Sequence, residues 1–429
     1  MNEILWYIAG VLVIAIGIGF SIGWHELGHL LPAKKFGVKV PRYMIGFGPT
    51  LFSRKRGETE YGVKAIPLGG YITMIGMYPP AAEGTRERKG SMGEAIAAAR
   101  NAHSEYVTDN DAHRMFYQLP VLKRIIIMFG GPFMNLFLGV LLTAISVSGI
   151  GTFVRSTTVE SISQCVPMSF ENQVPCSLAD ADSPAKVAGL KAGDKVLKVD
   201  GQSVSSWDEI ASFAATHPGE LNLTVSSGGQ TKDVSITPAL VTRPMVQSDG
   251  SSKLQRVAFF GVVLTPVRQA QPLSAAFVSS GATIAQTFNL IFNLPNQVYQ
   301  SVHDTFSGKP RSVSGAVSII GVGQVAGEIG SNQQASFIDK LGGWLSMLAS
   351  LNFALFAFNM IPLLPLDGGH IAGAIYEAIK KAIWRIRRKP NPGPADTALL
   401  MPMTYIVSAT LIALSAVLLL LDLINPVKF

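Results

Sequence analysis

The sequence predicts a polytopic α-helical membrane protein with four transmembrane helices and a compact α/β domain in its longest outer loop. Hydrophobic residues make up 48% of the 429 positions and Lys, Arg, Asp and Glu only 15%, a charge fraction too low for a soluble surface of this size. The apolar residues gather into four runs that each meet the roughly 20-residue length of a spanning helix. The remaining charges are sorted by loop, as membrane topology requires. Two cysteines exclude a disulfide-dense secreted scaffold and a cysteine-built metal cluster. The formal +7 is not gathered on a recognition element, so no nucleic-acid partner is expected.

The first run, Ile4 to Phe20, leads through Trp24 toward Pro32 and makes residues 1–31 the first span. It opens on Glu3 rather than a basic region and has no small-residue cleavage site, so it is read as a retained helix and not a signal peptide. The second span covers 121–153 behind Lys123 and Arg124, the third lies within 341–376, and the fourth covers 399–424. Residues 32–124 hold 15 Lys/Arg against 8 Asp/Glu, and residues 377–400 hold 6 against 2. That excess places both loops (32–120 and 377–398 between the spans) in the cytoplasm. Both termini and residues 154–340, with 13 Lys/Arg against 14 Asp/Glu, then fall outside, as expected of a multi-pass protein of a bacterial plasma membrane.

A further uncharged stretch, Pro272 to Tyr299, contains Ser274, Gln286, Asn289 and Asn293, and counting it as a span would carry Lys380 to Lys389 outside. It is therefore read as an interfacial or externally packed helix. Ser312 to Gly327 includes Gly315, Gly321, Gly323 and Gly327, which suit turns or a re-entrant segment better than a stable helix. Residues 241–340 are thus grouped as amphipathic and re-entrant segments. Residues 79–114 are polar and Ala-rich, a flexible insert or short surface helix with no chemistry attached.

Within 154–240, Pro184 opens a short helix, Val196 to Val199 reads as a strand closed by Asp200-Gly201, and Leu221 to Val225 and Val234 to Ile236 flank a Gly228-Gly229 hairpin. The segment resembles a PDZ domain of the bacterial protease-associated kind, which implies binding of extended peptide by strand addition. A small domain that merely packs is the alternative. Cys165 and Cys176, 11 positions apart, either form a disulfide or stand as two unpaired small apolar side chains. The outer placement favours the bridge.

His25-Glu26-Leu27-Gly28-His29 lies at the end of the first span. Histidines four apart share one helix face, and Glu26 between them can reach a metal-bound water, which is metalloprotease geometry. Ionisable groups inside a span are costly and usually functional. Two histidines need a third protein ligand, and Asp367, in Asn359 to His370 with its Pro362, Pro365, Gly368 and Gly369, is the economical candidate. His370 suits a supporting role, because hydrolysis needs an open coordination position.

These motifs, with Gly131-Pro132-Phe133-Met134-Asn135 in the second span, resemble the site-2 protease family of intramembrane zinc metalloproteases. The similarity is to the bacterial, actinobacterial-like members that carry a PDZ domain, and it spans nearly the whole chain. It implies one Zn2+ per chain on His25, His29 and Asp367, Glu26 as general base, and Asn135 and Asn359 at the substrate. It also implies a membrane-associated β-hairpin sheet around Gly46 to Met74, which residue patterns alone show only as a Gly-rich basic loop. The expected activity is regulated cleavage of single-span membrane proteins such as anti-sigma factors, already cut by a site-1 protease. A protease of remnant signal peptides shares this signature. A non-catalytic peptide-binding scaffold is the reading from another class.

Overall fold

A chain that is apolar from its first residues must satisfy its backbone internally, and the helix is the local way to do so. The computed structural model describes residues 2–81, 90–101, 104–166, 176, 180–217, 219–246, 252–308, 311 and 315–426. α1 runs from Asn2–Lys35 through Pro32 without a break. A two-stranded antiparallel hairpin follows, β1 (Arg42–Arg56) and β2 (Thr59–Thr73). Its register shifts between Ile45 and Phe52, where Gly46 and Gly48 take positive φ, a conformation open to glycine without steric cost. Within the polar insert α2 (Ser91–Asn101) is helical; residues 82–89, 102 and 103 of that insert lie outside the described residues. α3 covers Val121–Ala144 and widens into one further turn to Ile150.

The chain divides into two compact units, Met1–Ser146 with Ser274–Phe429, and Val147–Leu273. The second unit contains β3 (Thr152–Ile162), α4 (Pro184–Val187), β4 (Lys195–Val199), β5 (Gln202–Ser203), α5 (Trp207–Thr216), β6 (Leu221–Ser227), β7 (Gln230–Ile236), β8 (Ala239–Val246), β9 (Ser252–Phe259) and β10 (Val262–Gln269). Its main sheet has the order β10-β3-β4-β6-β7, with β5 on β4, and β8 pairs separately with β9. Leu221, Leu223 and Val225 alternate inward along β6, the period expected of a half-buried strand. They pack with Val196, Val199, Ile210, Trp207 and Phe260 into one core. Asp200-Gly201 and Gly228-Gly229 turn the chain at positive φ. The sulfurs of Cys165 and Cys176 are bonded to each other.

This unit corrects the expectation that residues 241–271 belong with amphipathic segments. The described part of that stretch contains β8, β9 and β10, and β10 pairs along the length of β3, a partner about a hundred positions earlier that no local pattern reveals.

In the first unit the chain continues with α6 (Leu273–Phe292), α7 (Leu294–Phe306), α8 (Ile319–Ser331), α9 (Phe337–Asn359), α10 (Asp367–Ile386) and α11 (Met401–Ile424). Among the described residues five helices are long and apolar enough to cross a membrane: α1, α3 with its extension to Ile150, α6, α9, and α11 with the turn before it. By length and composition α6 therefore stands with the four runs predicted to span. Of the Gly-rich segment expected to form turns or a re-entrant segment, residues 312–314 lie outside the described residues, and from Ile319 onward it is the helix α8. Its glycines face neighbours: a Cβ on Gly330 would strike the Trp6 carbonyl and one on Gly10 of α1 the Ala326 carbonyl, so their absence allows close helix packing. Ser318 caps α8, while Asp422 of α11 accepts from the Ser318 N–H at 2.6 Å and from Arg311 Nη1 at 2.5 Å.

The helix break expected at Pro362, Pro365, Gly368 and Gly369 divides the segment 341–376. α9 stops at Asn359, a loop with Pro362 and Pro365 turns the chain, and α10 carries on to Ile386, through much of what was read as loop. Proline removes an N–H and clashes with the preceding turn, so the break is local chemistry. The length of α10 follows from its amphipathic pattern and its packing on α3.

Candidate metal centre and active site

Three elements build the centre. α1 supplies His25, Glu26 and His29, α3 backs the histidines, and α10 presents Asp367 in its first turn. Gly28 and Gly130 bring the backbones of α1 and α3 into contact, and a Cβ on Gly131 would occupy the space of the His29 and His25 rings. On the other side, Gly368 and Gly369 let the Met360–Leu364 backbone fold against the start of α10. Small residues at these points, not flexibility, set the approach of the three ligands.

His25 Nε2 lies 3.2 Å from His29 Nε2 and 3.2 Å from Asp367 Oδ2, and His29 Nε2 lies 3.4 Å from Asp367 Oδ1. These side chains are 6–17% exposed, enclosed but reachable. The opposite ring nitrogens are both committed. His25 Nδ1 donates to Asn135 Oδ1 at 2.5 Å and His29 Nδ1 donates to the Ile127 carbonyl at 2.7 Å. Oxygens that only accept hold the protons on Nδ1, so both Nε2 atoms present lone pairs to each other and to a carboxylate. Asp367 Oδ2 is buried without a hydrogen-bond donor. Two imidazole nitrogens and a carboxylate converging on one point, with the far side of each ring already held by an oxygen, fit a cation. Two imidazoles and a carboxylate within 4.8 Å of one another are the donor set of a catalytic zinc with an open position.

Glu26 is buried and faces the backbone of the hairpin at Ile72. Gly70 makes this possible, since a side chain there would press on Ile22 and Glu26. The hairpin is thereby laid against the reactive face of α1, and Tyr43 Oη fastens it by donating to the Gly23 carbonyl at 2.6 Å.

Not every expected site residue joins this cluster. Asn135 is fully buried, with its carbonyl on His25 and its amide donating to Asn352 Oδ1 at 2.9 Å; it stands behind the ligand. Asn359 donates to the Leu355 carbonyl of its own helix at 3.0 Å. His370 packs near Tyr78, ring centroids 6.1 Å apart. Asn352 and Ser21 were not foreseen. Asn352 Nδ2 donates to Ser21 Oγ at 2.9 Å, so a buried polar chain runs from α9 through Asn135 to His25. Their signal was available as polar side chains in apolar spans, but spacing alone does not say which of them meet.

Residues 13–401 match peptidase family M50. The chain is 31% identical to zinc metalloprotease Rip1 of Mycobacterium tuberculosis over 99% of both chains. Rip1 of Mycolicibacterium smegmatis is 31% identical over 98% of both. Metalloprotease MmpA of Caulobacter vibrioides is 28% identical, covering 87% of this chain and 88% of its own. With a His25–His29–Asp367 cluster beside Glu26 in apolar helices, the chain belongs to peptidase family M50.

Proposed function

We propose that this protein is an intramembrane zinc metalloendopeptidase that hydrolyses peptide bonds within the membrane segments of single-span proteins. The observation that carries this reading is the convergence of two Nε2 lone pairs and the Asp367 carboxylate beside Glu26, on helices apolar enough to span. His25, His29 and Asp367 would hold one zinc per chain, leaving a coordination position for the reaction. When bound, zinc supplies Lewis acidity, acidifying water and polarising a peptide carbonyl.

Glu26 takes the proton from the attacking water as its oxygen bonds to the peptide carbon, then delivers it to the amide nitrogen as the C–N bond breaks. Asn135 and the Ile127 carbonyl keep both imidazoles in the tautomer that frees Nε2. The amide of Asn359 is suited to hold substrate. A helical substrate hides its peptide groups, so it must unwind locally to reach Glu26.

In this reading α1, α3, α9 and α11 span a bacterial plasma membrane, α6 lies at the interface, and both termini face outward with the 154–240 segment. That segment acts as a PDZ-like binder of extended peptide. The substrate class includes anti-sigma factors cut beforehand by a site-1 protease.

The test is cleavage of single-span membrane peptides by the purified full chain, untreated, chelated and resupplied with zinc. Chelation is expected to stop cleavage and zinc to restore it. E26Q is expected to retain metal while losing about 10²-fold or more in rate. Cleavage that survives chelation overturns the metal assignment, and an active E26Q overturns the general base.

A further inference from the structure

The two histidines are backed by groups of different kinds. Behind His29 stands the Ile127 carbonyl, an oxygen that the backbone of α3 cannot reverse. Behind His25 stands the amide of Asn135, whose oxygen and nitrogen exchange places on a half-turn. With the oxygen toward His25, the ring keeps its proton on Nδ1 and Nε2 is free. With the nitrogen there, Nδ1 would have to accept, and the proton would move to Nε2 on the side that meets His29 and Asp367. The direction of the Asn135 amide therefore decides whether His25 can serve as a ligand.

That direction is set from a distance by main-chain carbonyls, which accept and never donate. Ser21 Oγ donates to the Gly17 carbonyl at 2.8 Å, so it offers only lone pairs to α9. Asn352 Nδ2 donates to Ser21 Oγ at 2.9 Å and to the Leu348 carbonyl at 2.8 Å. Both of its amide protons are thus used, and its Oδ1 faces Asn135. Asn135 Nδ2 donates to that oxygen at 2.9 Å and to the Ser21 carbonyl at 3.4 Å, which leaves Asn135 Oδ1 for His25.

Reversing Asn352 would set its oxygen against the Leu348 carbonyl and its amide against that of Asn135. Ser21 is buried, and Asn135 and Asn352 are completely so. Mismatched polar groups are costly in such surroundings, because bulk water does not reach them.

We propose that Asn352 is a positioning residue for the metal centre. Its amide, aligned by the Leu348 carbonyl and Ser21, sets the direction of Asn135 and thereby the nitrogen that His25 turns toward the metal. The inference rests on the zinc reading above and deepens it by naming the residue that orients the reversible support of one ligand.

The test measures zinc affinity of the purified full chain by competition with a chromogenic chelator, alongside circular dichroism and thermal unfolding. N352L is expected to lower the affinity about tenfold with helix content unchanged, and N352A makes the same cut without the added bulk. N352D still presents an acceptor to Asn135, so it is expected to stay within about twofold of the parent. Because Asn352 acts through Asn135, the double variant N135L/N352L should bind zinc no more weakly than N135L alone. A bond that merely joins α9 to α3 would lower the melting temperature of N352L and N352A while sparing the zinc affinity of the folded chain, and that result overturns the proposal. Losses that multiply in the double variant also overturn it, as does a loss in N352D equal to that in N352L. A parent chain that takes up no zinc sinks the metal reading itself, and this inference with it.

Discussion

Asn135 illustrates how much of the centre depends on groups that never meet a metal. It is fully buried and accepts the Nδ1 proton of His25, so its carbonyl selects the tautomer that leaves Nε2 free. An N135L variant is expected to lose about 10- to 100-fold in zinc affinity, measured by competition with a chromogenic chelator, while its helix content is unchanged. An interhelical bond with no link to the metal would leave that affinity intact. Asp367 was readable because a carboxylate beside prolines and glycines at membrane depth has few structural uses. Asn135 was expected at the substrate; that its carbonyl meets His25 could not be read, since it depends on which atom of a distant helix that oxygen reaches.

Among the elements, the contact of α3 with α10 sets how far Asp367 stands from the histidines. Arg124 Nη2 meets Glu377 Oε1 at 2.6 Å, with both side chains buried, and Glu377 Oε2 accepts from the Ala395 N–H at 2.8 Å. Removing the Glu377 carboxylate takes away the anion that the buried Arg124 meets, a loss of about 3–5 kcal/mol, whereas removing Arg124 leaves Glu377 still paired with Lys381 at 2.6 Å. E377M is expected to destabilise the protein on that scale in denaturant titrations, R124M by less, and the double variant by less than their sum. Additive losses would mean that the pair does not couple the two helices.

The polar insert is tied down in another way. Hydrogen bonds from Lys39 Nζ, at 2.6 Å, and from the Thr108 hydroxyl and N–H hold the Asp111 carboxyl well below the usual carboxylate range. A group whose folded pKa is depressed stabilises the fold above its unfolded value, about 3.9, and loses that contribution as the pH falls through the folded one. D111N is therefore expected to lower the melting temperature at neutral pH. The gap to the parent protein should narrow below about pH 4. A gap independent of pH would show that the carboxylate charge is not what matters.

At the scale of the whole molecule, two units carry separate cores. Among the described residues the strands of 147–273 find their sheet partners within that unit, and most of its buried apolar residues form one cluster. Expressed alone, this segment is expected to be water-soluble and to unfold in a single cooperative transition followed by circular dichroism. A non-cooperative or aggregated product would show that it needs the membrane unit to fold. Its strands could be read from alternation and glycine turns, whereas its extent could not, because β10 closes on β3 across the whole unit.

The sequence by itself determined that this is a membrane protein with apolar helices, an HExxH pair of histidines, and a candidate third ligand in a helix-breaking motif. Each of these is written in local chemistry: hydropathy over about 20 residues, a four-residue helical repeat, or proline and glycine at a break. The tertiary structure decided that the Gly-rich segment is a packed helix, that α10 runs on past Asp367, and that Asn352, Asn135 and His25 form one buried chain. Those outcomes depend on which distant surfaces meet. Glycines at 28, 130 and 131 permit a close approach that their own neighbourhood does not announce, and the hydrogen-bond partners of a buried amide are fixed only once that approach is made.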